Sequence, residues 1–470
     1  MTELLRRWPL VVAVTLAAGC GGDDEPRAAG SGGTSGSGGI LGTGGGFPSG
    51  GSGGGAAAAG AGGSAYAGPT RYPAASLRSP IAPSVVARVR AIAEQAPRAE
   101  DVFMKVGASN TVNTGFFHCF AGTNVELDGR AHLDATLTHF RAGSAGGKTP
   151  FDRQSLAAKV GAGAVWSMTG SPPPVEQEIA AIDPRYALVH YGTNDMQLGV
   201  SHQSALFPFF ENLSLLLDHL ESSGVVPIVS ALPPRSDTVA AARWVPTYDA
   251  ATRAIAEARQ LPFISVYGAW SPLPNQGLIS DGLHGNAFNG GACVLTAAGL
   301  QHGFNTRNLL TLEQLDVTRR VLAGEAAPDV AIAHQGSGSA ADPFLVDVLP
   351  FTHAGDTSLS SSRGIDSYPG CSATQDESGP ELFYRLELDA PTPLRAVLLD
   401  RAGVDVDLHL LAAEPTGQAC QARSDRIVQG TFGPGTVYLA VDSFVSSAGE
   451  QAGPYLLVVV RCEAGDPDCG

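Results

Sequence analysis

The sequence predicts an α/β protein, a flavodoxin-like three-layer sandwich with a parallel sheet, followed by an all-β sandwich. Three observations point there. Between residues 79 and 325, short apolar runs alternate with helical patterns. Those runs are almost continuously apolar, as in strands buried on both faces of a parallel sheet. Beyond residue 341 the pattern changes to short alternating strands punctuated by Gly, Pro, Asp and Ser, the pattern of a β-sandwich.

The chain opens like an export signal. Arg6 and Arg7 precede an apolar stretch over 9–18. It is half the roughly 20 residues a bilayer span needs, which fits a cleaved segment. The stretch ends in Leu16-Ala17-Ala18-Gly19-Cys20. This resembles a bacterial lipobox, with the leucine one position further from the cysteine than usual. Residues 1–20 then form a lipoprotein signal peptide, and Cys20 is the lipidated first residue of the mature chain, anchored in a membrane at the cell envelope or surface. The alternative is an ordinary secretory signal with a chance cysteine. Residues 21–78 are mostly Gly, Ser and Ala. They carry too little apolar surface to offset ordering entropy and read as a disordered tether, with a reach of about 40 Å for a coil of this length.

Residues 79–325 hold the α/β signals. Strands are expected over 102–106, 185–191, 225–232 and 262–266. Phe207, Phe210, Leu213, Leu217 and Leu220 recur at helical spacing before Gly224. Further helices are expected over 247–259 and 309–322. Strand–helix alternation implies right-handed crossovers and places functional residues at the carboxyl ends of strands. Residues 326–340 read as a linker and 341–470 as a C-terminal accessory sandwich, with strands over 382–388, 394–399, 404–411, 436–441 and 454–460.

The chemistry lies in Gly107-Ala108-Ser109, Gly192-Thr193-Asn194-Asp195 and Asp281-Gly282-Leu283-His284. A serine hydroxyl needs a base to take its proton, and His284 is the candidate. An Asp three residues earlier, Asp281, can fix its tautomer and stabilise the imidazolium. A tetrahedral intermediate needs preorganised donors. The Asn194 side-chain amide and the Ser109 backbone N–H offer two.

In order and spacing these motifs resemble the SGNH (GDSL-type) hydrolase family. The resemblance implies Ser109 as nucleophile, Asn194 as oxyanion amide and Asp281 with His284 as the remaining pair. It implies a carboxylic ester hydrolase that needs no metal or organic cofactor. It also implies a further oxyanion donor in a second block. Ser155, opening a helix-like stretch over 155–160, and Gly147 are the candidates. One departure stands out: Ala108 occupies the place of the family's usual Asp. A degenerate, glycan-binding surface lipoprotein is therefore one alternative, and a lipase or lysophospholipase is another. The stretches 381–386, 405–410 and 453–458 resemble the bacterial pre-peptidase C-terminal domain, an accessory sandwich on secreted hydrolases.

Six cysteines follow Cys20: Cys119, Cys293, Cys371, Cys420, Cys462 and Cys469. An even number in an exported chain reads as disulfides. Cys119–Cys293 is the economical pairing, because the other four fall in the next domain; two separate thiols are the alternative. The net charge of −16 disfavours nucleic acid as a partner. A monomer acting on glycan-linked or small acyl esters is the expectation. Lys105 is expected to be buried with a carboxylate partner, His190 to have a buried partner and His118 to be structural or to line the pocket. Asn305 and Arg307 read as helix caps. Asp405 and Asp407 read as a solvated strand face, with calcium as the minor alternative.

Overall fold

The computed structural model describes residues 69–469. Cys20, its lipobox and most of the tether lie outside the described residues. Helix α1 (Pro83–Ala93) leads into β1 (Ala99–Gly107), followed by the short α2 (Ser109–Val112), α3 (Asp134–Ala142), α4 (Ala164–Ser167) and α5 (Pro174–Ile182). Then come β2 (Pro184–His190), α6 (His202–Ser222), β3 (Val226–Ser230), α7 (Val239–Arg259), β4 (Phe263–Ile264), α8 (Val266–Trp270) and α9 (Gly303–Leu322). The four strands form a parallel sheet in the order β1-β2-β3-β4. Every residue of β2 is buried, so both faces are covered, as the apolar runs predict.

The expected helix over 155–160 does not form. Ala158 instead makes a parallel bridge to Gly107 at the outer edge of β1, and Lys159 N–H donates to the Gly107 carbonyl at 3.0 Å. The open edge of β1 offers backbone partners that a short helix would leave unused. Chain order therefore reverses at β1: the segment after it lies on one side and β2 on the other. A crevice at such a switch point is where α/β sheets bind ligands.

The sandwich follows the expected strands and adds some. Its strands are β5 (Phe344–Leu345), β6 (Phe351–Asp356), β7 (Glu381–Leu388), β8 (Thr392–Asp400), β9 (Val406–Ala412), β10 (Cys420–Ser424), β11 (Ile427–Phe432), β12 (Gly435–Ser443), the hairpin β13 (Val445–Ser446) and β14 (Gly449–Glu450), and β15 (Pro454–Arg461). One sheet runs β10-β9-β12-β7-β5 and the other β11-β8-β15-β6. Tyr455, Leu457 and Val459 of β15 point into the sandwich core. Their alternates Leu456, Val458 and Val460 join the core of the α/β layer.

That second face packs on α7, whose residues from Thr247 to Arg259 are all buried. Polar contacts reinforce the junction. The fully buried Arg395 pairs with Asp466 at 2.8 Å, donates to Thr247 Oγ1 at 3.1 Å and lies over the Trp244 ring. Glu257 accepts from Thr352 Oγ1 at 2.6 Å. Residues 69–78, read with the tether on composition, are packed instead. Tyr72 is buried, and its hydroxyl donates to the Leu261 carbonyl at 2.7 Å. Arg71 N–H donates to Ile332 O at 2.7 Å, so this segment runs beside the stretch read as a linker. A few anchoring side chains override the Gly/Ser average.

Candidate active site

Ser109 opens α2 directly after β1. Gly107 allows that approach: a Cβ there would lie 2.6 Å from the His190 carbonyl oxygen of β2. Ala108 is extended, at φ −105° and ψ −151°, and turns the chain into the helix. As a first-turn residue, Ser109 leaves its N–H without an intrahelical acceptor.

The Asp281–His284 turn reaches Ser109 from the other end of the domain. Gly282 sits at φ +70°, where a Cβ would also approach the Asp237 amide at 2.6 Å. His284 Nε2 is 2.9 Å from Ser109 Oγ, and His284 Nδ1 is 2.6 Å from Asp281 Oδ2. An ionised carboxylate only accepts, so Nδ1 carries the proton and Nε2 is the acceptor facing the serine hydroxyl. Asp281 Oδ1 accepts from the N–H groups of Leu283 and His284 at 2.9 and 3.0 Å. Desolvation pushes the Asp281 carboxyl upward, but these hydrogen bonds and the one to the His284 ring outweigh it and hold its pKa at about 2. It stays charged at any working pH.

Residues 130–288 match the GDSL-like Lipase/Acylhydrolase family. About a third of the chain is thus similar to that family. The matched stretch holds Asn194, Asp281 and His284, and Ser109 precedes it. Among solved structures, a catalytic mutant of Axe2, an acetylxylan esterase from Geobacillus stearothermophilus, is 15% identical, with a TM-score of 0.31 over 45% of this chain and 93% of that one. A GDSL-like lipase from Bacteroides thetaiotaomicron is 15% identical, with a TM-score of 0.28 over 50% of this chain and 98% of that one. A periplasmic inhibitor of g-type lysozyme from Aeromonas hydrophila is 15% identical, with a TM-score of 0.17 over 25% and 92%. No curated protein matches the chain.

In the α/β domain, Asn194 follows β2 and donates from Nδ2 to the Ala162 carbonyl at 2.9 Å. That uses one of its two amide protons. The buried Asp195 accepts from Ala164 N–H at 2.7 Å and Gly192 N–H at 2.9 Å. The first bond pins the 161–164 turn against the Asn194 loop, and the second closes that loop on itself. Gly163 fits there because a Cβ would sit 2.7 Å from Asp195 Oδ1. Gly163 thus lies against the Asn194–Asp195 loop. Ser155 is tied locally, its hydroxyl accepting from Ala157 N–H at 3.1 Å, and Gly147 has open space around it.

Sequence reasoning missed Asn110. It is buried beside the nucleophile. Its Nδ2 donates to Leu283 O and its Oδ1 accepts from Gly285 N–H, both at 3.1 Å. It thus clasps the backbone on either side of His284. Cys119 and Cys293 are joined, linking the segment after Ser109 to the one after His284; Cys371–Cys420 and Cys462–Cys469 are the other pairs.

Several side residues depart from expectation. Lys105 is buried, but its ammonium donates to the Phe151 carbonyl at 3.0 Å rather than to a carboxylate. His190 is buried with Nδ1 unpartnered; burial and then the Arg307 charge hold its pKa well below the ordinary value, so it is neutral. Arg307 is no cap: it is buried, donates to Asn110 O at 2.8 Å and lies over the Phe116 ring. Asn305 binds the Gly291 and Val294 carbonyls instead of capping a helix. Asp407 is buried and pairs with Arg423 at 2.9 Å, because the segment bearing Tyr368 and Glu377 covers its strand.

Proposed function

We propose that the protein is a serine esterase that cleaves carboxylic esters through an acyl-enzyme. The observation that carries this reading is the continuous hydrogen-bond chain from Ser109 through His284 to Asp281. Ser109 Oγ attacks the ester carbonyl while His284 Nε2 takes its proton, and the resulting imidazolium is balanced by the Asp281 carboxylate. In this reading the Ser109 N–H, the spare Asn194 amide proton and the Gly163 N–H serve as donors for the oxyanion. His284 then passes its proton to the leaving alkoxide. Water, deprotonated by His284, releases the acid and restores Ser109.

Acetyl groups on glycans or small acyl esters are the substrates we favour. We further propose an exported lipoprotein, anchored through Cys20 and acting as a monomer, with the sandwich as an accessory of the pre-peptidase C-terminal type. Hydrolysis of 4-nitrophenyl acetate by the chain, beside Ser109→Ala, tests the reaction. A loss in the variant on the order of a thousandfold or more is expected. Equal background rates would favour the binding-protein alternative that Ala108 raises.

A further inference from the structure

Lys105, Lys148 and Lys159 are the only lysines in the sequence. All three fall within the stretch running from the nucleophile's strand to the edge beside it. The chain carries −16 overall, so this concentration of cations is a local reversal. Of the three, Lys105 lines a cavity of about 190 Å³, far larger than one water needs, and Arg153 is the other cation on its wall. Lys105, Thr111, Val112, His118, Gln154 and Ser155 line it. Thr111 and Val112 lie on α2, the helix that Ser109 opens.

The charges around this cavity do not balance internally. Lys105 is 3% exposed. Its ammonium has three N–H groups, and one is used, toward Phe151 O. No carboxylate reaches it at ion-pair distance among the described residues. The two acids that act on it are taken elsewhere. Asp152 accepts from Thr149 and faces Lys148 at 3.5 Å. Glu178 is fully buried and receives Arg153 through both oxygens, at 3.2 and 3.0 Å. Arg307 adds a second buried cation without a carboxylate partner among the described residues; burial pulls its pKa down to about 9. Burial likewise pulls the Lys105 pKa down to about 8, the mark of a charge that lacks a counter-ion. The Thr111 hydroxyl, 2% exposed, has no acceptor for its proton. Lys105 and Thr111, each with unspent donors, thus line one small cavity, and Arg307 lies just behind it, donating to Thr111 Oγ1 at 3.4 Å. A buried charge without a partner is costly unless a ligand supplies one.

We propose that this cavity is a subsite for a carboxylate on the ester substrate, with Lys105 as its anchor and the Thr111 hydroxyl and Gln154 amide as further donors. The inference rests on the esterase reading and names its substrate class: esters bearing an acid group close to the scissile bond. That carboxylate can belong to the alcohol part, as in an acetylated uronate, or to the acyl part, as in a dicarboxylic half-ester. The positive field also draws such a substrate to an otherwise acidic protein.

Two measurements on the full chain test it. The first is calorimetric binding of galacturonate, adipate and galactose to Ser109→Ala, with and without Lys105→Met. Galacturonate or adipate is expected to bind and galactose not, with affinity falling roughly tenfold or more in the Lys105 variant. The second is the ratio of kcat/KM between acidic and neutral esters, using O-acetylated methyl galacturonide against the galactoside and monoethyl adipate against ethyl hexanoate. The ratio for one pair is expected to exceed unity and to fall about tenfold in Lys105→Met. The pair that responds identifies which part of the substrate carries the acid. Gln154→Glu, on an exposed rim residue, is expected to lower the same ratio if Lys105→Met fails to fold. Neutral and acidic esters cleaved alike by all forms, with no acid binding, would overturn the subsite and leave the esterase standing. Acid binding that depends on Lys105 in a chain inert toward every ester would leave the anion site and remove the esterase reading.

Discussion

His284 owes its position to its neighbours' hydrogen bonds more than to its own packing. Asp281 fixes the ring and the turn, while Asn110 clasps the backbone at Leu283 and Gly285. Removing that clasp leaves the triad's chemistry intact but frees its base to drift. A displacement near 1 Å can cost about a hundredfold in rate. Asn110→Ala is therefore expected to lower kcat/KM for 4-nitrophenyl acetate by roughly ten- to a hundredfold, with the fold retained by circular dichroism. A variant as active as the wild type would show that the turn holds itself. The meeting of Ser109, His284 and Asp281 is legible in the sequence, because a serine, its base and a carboxylate are recognisable by residue type and order. Asn110 and Gly163 are not. An Asn after a Ser, and a Gly in a glycine-rich stretch, look ordinary until the fold brings residue 110 to 283–285 and 163 to 195.

Strands show the same division. The run over 185–191 was readable because every position of β2 is buried. Asp407 was misread as solvated because strand alternation reports which face a residue occupies, and here a covering loop buries the second face too. That loop creates an acidic interior. Burial, reinforced by the Asp407 charge, raises the Glu377 carboxyl to about 8. Burial raises Asp442 to about 9, against the lowering effect of the Tyr368 hydroxyl it accepts. In the unfolded chain both lose their protons near 4. From about pH 4 up to these raised values the folded state holds protons that the unfolded state has lost, so stability falls as pH rises. Above pH 7 the buried histidines no longer oppose this trend. The melting temperature is expected to drop between pH 7.0 and 8.0, and to drop less in Asp442→Asn, whose amide can still accept from Tyr368. Parallel slopes in the two proteins would contradict the assignment of Asp442 as a protonated acid.

At the scale of the molecule, the α/β layer and the sandwich share one interior. Leu456, Val458 and Val460 of β15 complete the core around α7, and Arg395 of the neighbouring strand β8 anchors the junction. A chain ending at residue 340 would expose this face of α7 to water. Each large apolar side chain uncovered costs about 1.5–3 kcal/mol, against a total stability of roughly 5–15 kcal/mol. Residues 69–340 alone are expected to aggregate or melt well below the full chain in calorimetry; an equally stable fragment would show that the sandwich is dispensable. The sequence marked two fold classes and the change between them. It did not reveal their union, since the continuous apolar run of β15 reads alike whether a strand is buried by one partner or two. The union holds the domain on which the triad depends, and the triad is the central claim. Its most direct measurement is the intact mass of the chain after treatment with diisopropyl fluorophosphate, followed by peptide mapping. A single adduct on Ser109 is predicted, absent in Ser109→Ala and much slower to form in His284→Ala. No adduct on the wild type, or the same adduct on Ser109→Ala, would contradict the account.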